Sequence, residues 1–204
     1  YGREVLAKFA RRAWRRAITS QEVDRLMALF ARYRPEFATF EEAMLEVLAT
    51  VLAAPEFLYL TQKASADHLD APATIRDVEL ASRLSFFLWS SIPDDELLGL
   101  AAQEQLKEPK VLAAQVKRML ADPRSRRFSE NFVQQWLGLD ALNSVTHITD
   151  KALRRAVQEE PIAFFTEVLE HDRSVMDFVH SDYAVINERL AAHYQIPGVY
   201  GPHF

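Results

Sequence analysis

The stretch from residue 77 to residue 100, DVELASRLSFFLWSSIPDDELLGL, decides the fold class. Its first half is apolar at helical spacing nearly all round, a pattern typical of a helix enclosed by other helices. Its second half places Pro93 ahead of three acidic residues, which indicates a helix start because proline fits the first turn and carboxylates favour the positive end of the helix dipole. The stretch therefore predicts a buried central helix over residues 77–90 and a helix that begins at Pro93.

Helix signals recur along the rest of the chain. Only five glycines occur in 204 residues, and runs of β-branched residues are scarce, which favours helix over sheet. Thr19 with Glu22, and Thr39 with Glu42, have the spacing of capping boxes, in which each side chain satisfies a backbone N–H at the start of a helix. These two pairs predict where the second and third helices begin.

The remaining apolar periodicity completes the fold prediction. A first helix is predicted over residues 3–17 and a last helix over residues 183–194. Pro161 falls inside a long helix predicted up to His171, where it is expected to kink the helix or to split it in two. We predict an all-α fold, an irregular assembly of about eight to ten helices around the central helix.

The polar segment at residues 61–73 is the strongest candidate for a linker. We therefore expect an N-terminal subdomain of three helices over residues 1–60 and a main helical domain over residues 74–204. The sequence opens at Tyr1 without a signal-like segment and ends abruptly at Phe204, so we interpret it as a piece of a larger protein.

Composition argues against several classes of site. Cysteine is absent, which excludes disulfides, thiolate metal ligands, a cysteine nucleophile and C-x-x-C-H haem attachment within this chain. The six histidines form no pair at helical metal-ligand spacing, so no metal site is predicted. No apolar run is long enough to predict a transmembrane segment. The basic run RRAWRR at residues 11–16 is interpreted as structural rather than nucleic-acid binding, since Trp14 belongs to an apolar stripe and the net charge is −5.

One polar cluster near the end of the chain is a weak candidate for a catalytic site. It contains Asp182, Asn187, Arg189, His193 and Tyr194. If residues 183–194 are helical, Arg189 lies one turn before His193, and this arrangement suits acid–base chemistry or an anion pocket. The structural alternative is a packed helix whose histidine and tyrosine bond to neighbouring loops.

Four segments of the chain resemble a large family of exported bacterial proteins that is abundant in planctomycetes and also found in myxobacteria. The segments are ARRAWRRAITSQEVDRL (10–26), ELASRLSFFLWSSIPDDELLGLA (79–101), VKRMLADPRSRRFSENFVQQWLGL (116–139) and DRSVMDFVHSDYAVINERLAAHYQIPGV (172–199). Members of this family are long multidomain proteins that often carry a cytochrome c-like module followed by consecutive domains of unknown function. No catalytic residue is carried over from the family.

The resemblance implies an extracytoplasmic location, in the periplasm or cell envelope, and haem c in other domains rather than a cofactor in this chain. It implies that the partners are other domains of the same polypeptide or a protein complex. The leading hypothesis is a helical scaffold or interaction module of a cytochrome c-associated protein. The alternatives are an enzyme domain, redox-linked or acting on envelope polymers, with a pocket near Arg189 and His193, and an accessory subunit of a membrane-associated electron-transfer complex.

Overall fold

The computed structural model describes residues 1–59, 75–146 and 148–204, and within these ranges the chain is all α. The described residues form ten α-helices and four short 3-10 helices, and no strand. The α-helices are α1 Gly2–Ala13, α2 Ser20–Tyr33, α3 Phe40–Ala53, α4 Pro55–Leu58, α5 Asp77–Trp89, α6 Asp95–Ala102, α7 Pro109–Leu120, α8 Arg126–Leu137, α9 Lys151–Glu170 and α10 Glu188–Tyr194. The 3-10 helices are Arg34–Glu36, Pro123–Ser125, Leu139–Ser144 and Val175–Phe178. The predicted all-α fold is confirmed.

The chain divides into two compact units, residues 1–117 and residues 118–204. The predicted linker at residues 61–73 lies outside the described residues, so the boundary between a 1–60 subdomain and a 74–204 domain stays a prediction. None of the helices in the described ranges is long and apolar enough to cross a membrane.

The first three helices pack around a shared apolar core. Its buried members are Leu6, Ala10, Ala13, Leu26, Met44, Val47 and Val51. Both predicted capping boxes are confirmed: the Thr19 hydroxyl accepts the backbone N–H of Glu22 at 3.2 Å, and the Thr39 hydroxyl accepts that of Glu42 at 3.2 Å. Local sequence rules thus determine where α2 and α3 begin.

The end of the first helix differs from its prediction. α1 ends at Ala13, four residues early, because the backbone turns at Arg15, which has a left-handed φ of 55°. The Arg15 side chain is only 5% exposed. Its guanidinium donates to the backbone carbonyls of Glu56 at 2.8 Å, Phe57 at 3.3 Å and Tyr59 at 3.3 Å. A residue of the basic run therefore serves as a buried cap for the carboxyl end of α4.

The central helix is buried along one side. The buried residues of α5 include Ala81, Ser85, Leu88 and Trp89. Phe87, by contrast, is 61% exposed, so the expectation that the helix is enclosed all round is wrong on that side. At the start of α5, buried Asp77 accepts the backbone N–H of Leu106 at 2.6 Å.

The next helix begins slightly later than predicted. Asp94, rather than Pro93, sets the start of α6: the Asp94 carboxylate accepts the N–H of Leu97 at 3.0 Å, and the helix proper begins at Asp95. Pro93 therefore lies before the cap and not at the first helical position. The acidic half of the stretch still acts as a helix start, as its residue types predict.

The second unit is built on α8 and α9, which pack around Val133, Leu139 and Ile162. Pro161 lies inside α9, yet the helix continues from Lys151 to Glu170 without a break, so the predicted split into two helices does not occur. α10 begins at Glu188 and not at residue 183. The helix is shorter than predicted because Asn187 caps it.

Candidate functional site

The predicted site residues lie on and around α10, which packs against α9. Asn187 is the N-cap of α10 and is 8% exposed. Its side-chain oxygen accepts the N–H of Leu190 at 3.1 Å, and its side-chain nitrogen donates to the carbonyl of Pro202 at 3.4 Å. Both ends of the amide are thus engaged in hydrogen bonds with backbone groups.

Arg189 forms an ion pair with Asp150. The same carboxylate caps α9 by accepting the backbone N–H groups of Ala152 at 2.9 Å and Leu153 at 3.2 Å. The pair therefore joins the first turn of α10 to the start of α9. Arg189 is half exposed, and an exposed pair of this kind contributes about 0–1 kcal/mol to stability.

The other three candidates are Asp182, His193 and Tyr194, and none of them belongs to the described lining of the cleft that contains Asn187 and Arg189. Asp182 and His193 are exposed, and the His193 ring contacts that of Tyr194 at a centroid distance of 5.3 Å. The Tyr194 hydroxyl donates a 2.6 Å hydrogen bond to Glu160. This bond, together with desolvation, raises the pKa of Tyr194 to about 12. The five candidates do not line a single cleft among those that the structure describes.

Asn187 and Arg189 line a cleft between α9, α10 and the last residues of the chain, here called the charged cleft. Its volume is about 640 Å³. The charged side chains in its lining are Arg155, Glu159, Glu188 and Arg189. Three of these charged side chains have partners: Glu159 pairs with Arg126 of α8, Arg189 pairs with Asp150, and Glu188 accepts the backbone N–H of Gly201 at 2.9 Å. The charged cleft therefore has no clear preference for an anion or a cation.

A second cleft, here called the aromatic cleft, lies between α8, α9 and residues 178–185, and has a volume of about 360 Å³. It is lined by Val133, Trp136, Leu137, Glu160, Pro161, Phe164, Phe165, Phe178, Tyr183, Ala184 and Val185. Its rings contact one another closely. Phe164 stacks on Tyr183 with ring centroids 5.2 Å apart, and Phe178 and Trp136 meet in a T-shaped contact with centroids 5.7 Å apart.

Sequence reasoning missed the aromatic cleft. The aromatic spacing of α8 and α9 is typical of core packing, and part of it is core, since Phe165 contacts the buried cluster around Val133. Periodicity identifies an apolar face but does not tell whether that face is filled or open. The available signal was Glu160, a charged residue beside the aromatic positions of the same helix.

No group of three or more histidine, aspartate or glutamate side chains in the described ranges is arranged to hold a metal ion. The two clefts of the second unit therefore present aromatic rings with one carboxylate in the aromatic cleft, and side chains of both charges in the charged cleft.

Comparison with known families finds two consecutive matches. Residues 1–62 match PSD5, a protein of unknown function (DUF1595), and residues 75–196 match PSD4, a protein of unknown function (DUF1592). No curated protein and no solved structure matches the chain. Since the second match spans more than half of the sequence, the chain belongs to the PSD4 family of proteins of unknown function (DUF1592).

Proposed function

We propose that the chain is a helical interaction module of a larger exported, cytochrome c-associated polypeptide, located in the periplasm or cell envelope. Two consecutive family domains in one chain support a place within a multidomain protein. The cytochrome association and the location rest on the resemblance of the four sequence segments described above. In this proposal, haem c belongs to other domains, and the partner is another domain of the polypeptide or a protein complex.

An exposed apolar surface in the second unit is the observation that carries the proposal. We call it the apolar face; its members are Phe132, Trp136 and Leu137 of α8 with Val175, Met176 and Val179. Their exposed fractions run from 43% for Phe132 to 81% for Val179. The contact between Trp136 and Phe178 joins the two sets. A contiguous apolar surface of this kind is typical of a protein–protein contact.

Footprinting tests the proposal. Hydroxyl-radical modification of Trp136 and Met176 is compared in this chain alone and in the longer polypeptide that contains it. We expect both side chains to be protected in the longer polypeptide. Equal reactivity in the two samples contradicts the proposal, and cell fractionation tests the location separately.

A charge placed on the apolar face sharpens the test. Val179→Asp introduces a carboxylate at the most exposed member of the face, and burial of that charge against a partner opposes association. Leu45→Asp is the matched control, because Leu45 is 63% exposed and lies on α3 in the other unit. We expect Val179→Asp to abolish the protection of Met176 and Leu45→Asp to leave it intact.

The alternative function, an enzyme domain with its pocket near Arg189 and His193, receives less support. Arg189 lines the charged cleft, whereas His193 is exposed and does not belong to that lining. An acid–base role requires the histidine to lie within hydrogen-bond reach of a bound substrate.

A further inference from the structure

The aromatic cleft has the lining of a small-molecule site. Ring side chains from three separate segments form its walls: Trp136 from α8, Phe164 from α9, and Phe178 with Tyr183 from the segment that follows. Its volume of about 360 Å³ falls within the usual range of ligand pockets in proteins, about 300–1,000 Å³. The face of each ring carries the negative part of its quadrupole, so walls of this kind attract positive charge.

Charge within the cleft has one sign. Glu160 is the one charged side chain among the described residues that line it. One carboxylate oxygen, Oε2, accepts the hydrogen bond from the Tyr194 hydroxyl. A carboxylate offers about four acceptor sites, so this single bond leaves capacity for a second donor.

The arginines near the aromatic cleft, Arg173 and Arg126, do not line it and form ion pairs with other residues. The Arg173 guanidinium lies over the Tyr183 ring at 4.7 Å and pairs with Glu167 at 2.7 Å. Arg126 on α8 pairs with Glu159, which faces the charged cleft. Arg173 therefore already covers a face of Tyr183 from outside the cleft, whereas neither arginine belongs to the lining that contains Glu160.

We propose that the aromatic cleft binds a small organic ammonium ion with an apolar body. The ammonium group donates to the Glu160 carboxylate and lies against the ring faces, while the apolar body packs among Leu137, Phe164 and Phe178. An anionic ligand is opposed by the carboxylate. A neutral ligand of the same shape gains the apolar contacts but not the charge-assisted hydrogen bond.

This proposal is separate from the interaction role. Trp136 and Leu137 belong both to the apolar face and to the cleft lining, whereas Glu160 belongs only to the cleft. A variant at Glu160 therefore tests ammonium binding in the isolated chain without altering the apolar face, whereas protection of Trp136 in the longer polypeptide tests the interaction role.

Calorimetry with three probes tests the ligand class. Phenethylamine is a primary ammonium at neutral pH, phenyltrimethylammonium is a quaternary one, and 2-phenylethanol is a neutral analogue. For ligands of this size we expect a dissociation constant of about 1 mM for phenethylamine. Phenyltrimethylammonium keeps the charge but has no N–H donor, so we expect it to bind more weakly than phenethylamine, and we expect the alcohol to bind about tenfold or more weakly than phenethylamine. Equal affinity for the alcohol overturns the proposal, as does the absence of cation binding. Tighter binding of a lysine-containing peptide than of phenethylamine also overturns it, because the occupant is then a protein side chain.

Variants locate the binding site. Glu160→Gln keeps the size of the side chain and is expected to remove the preference for the cations over the alcohol. Glu159→Gln is the matched control, because Glu159 is adjacent to Glu160 on α9 but lines the charged cleft. Trp136→Ala removes a ring that is 54% exposed and is expected to weaken the binding of the cations and of the alcohol alike. Unchanged cation preference in Glu160→Gln contradicts the assignment. Tyr194→Phe, which leaves the carboxylate in place, is expected to retain that preference even where Glu160→Gln proves unstable.

Discussion

The Arg15 guanidinium donates a 2.8 Å hydrogen bond to the backbone carbonyl of Glu56 and so joins the end of α1 to α4 across 41 residues of sequence. The same group lies over the ring of Phe86 on α5 at 5.8 Å. Burial lowers the pKa of Arg15, yet arginine retains its charge in proteins. The buried guanidinium therefore needs hydrogen-bond acceptors, and the backbone carbonyls provide them.

Arg15→Ala is expected to destabilise the chain by about 3 kcal/mol, because the part-buried backbone carbonyls of Glu56, Phe57 and Tyr59 lose a charged donor. Arg15→Lys is expected to recover only part of this, since an ammonium does not reproduce the planar fork of donors. The free energy of unfolding of both variants is measured by chemical denaturation followed by circular dichroism. Arg12→Lys, at an exposed position of the same basic run, is the control and is expected to change stability by about 0.5 kcal/mol or less.

The capping box at Glu22 predicts a dependence on acid. The hydrogen bonds from Arg16 lower the pKa of Glu22 from 4.5 to about 2. The folded state thus favours the ionised carboxylate, so this contribution to stability is fully present above pH 4.5 and is lost as pH falls toward 2. Glu22→Gln is expected to flatten the stability curve over this range. Glu41→Gln, at an exposed residue of α3, serves as the comparison, and identical curves for the two variants contradict the assignment.

Buried Asp77 predicts a second large loss of stability. Its carboxylate accepts the N–H of Leu106 at 2.6 Å and that of Lys107 at 3.3 Å, and it pairs with the Lys107 ammonium at 3.3 Å. Asp77→Ala leaves these donors without an acceptor. We expect the free energy of unfolding, measured by chemical denaturation, to fall by about 2–3 kcal/mol. Asp95→Ala, at a side chain that is 76% exposed, is the control, and an equal loss there contradicts the prediction.

Titration of Tyr194 reports on the carboxylate of the aromatic cleft. Its pKa of about 12 arises first from the hydrogen bond to Glu160, which favours the protonated phenol. Since the folded state binds this proton more tightly, the associated stability is present below pH 10 and is lost as pH rises toward 12. Glu160→Gln is expected to return the pKa toward 10, as followed by NMR of the ring. An unchanged pKa in that variant contradicts the bond.

Sequence predicted those parts of the fold that depend on neighbours along the chain. The boxes at Thr19 and Thr39 lie within one helical turn of the amides they bind, so their spacing is sufficient evidence. The bonds of Arg15 and Asp77 join residues 29 or more positions apart. A basic run and a helix-start acid look the same in sequence whether exposed or buried, and only tertiary packing separates the two cases.

The candidate site shows the same division. Asn187 and Arg189 are candidates by residue type, and in the structure Asn187 caps α10 and Arg189 pairs with Asp150, because a cap and an ion pair use the same residue types as a catalytic site. The sequence does not indicate that Tyr194 bonds to Glu160, which lies 34 residues earlier. The aromatic cleft arises from rings in three segments, and their convergence is a property of tertiary structure that helical periodicity does not encode.

Residues beyond the family match contribute to the fold. The PSD4 match ends at Ile196, but the Glu188 backbone N–H donates to the Gly201 carbonyl and the Glu188 carboxylate accepts the Gly201 N–H. The Asn187 side chain also donates to the Pro202 carbonyl. These bonds fasten residues 201–202 onto the first turn of α10. A fragment that ends at Ile196 thus lacks the hydrogen bonds that hold residues 201–202 against α10, so a folding unit chosen at the family boundary omits part of what fixes the start of its last helix.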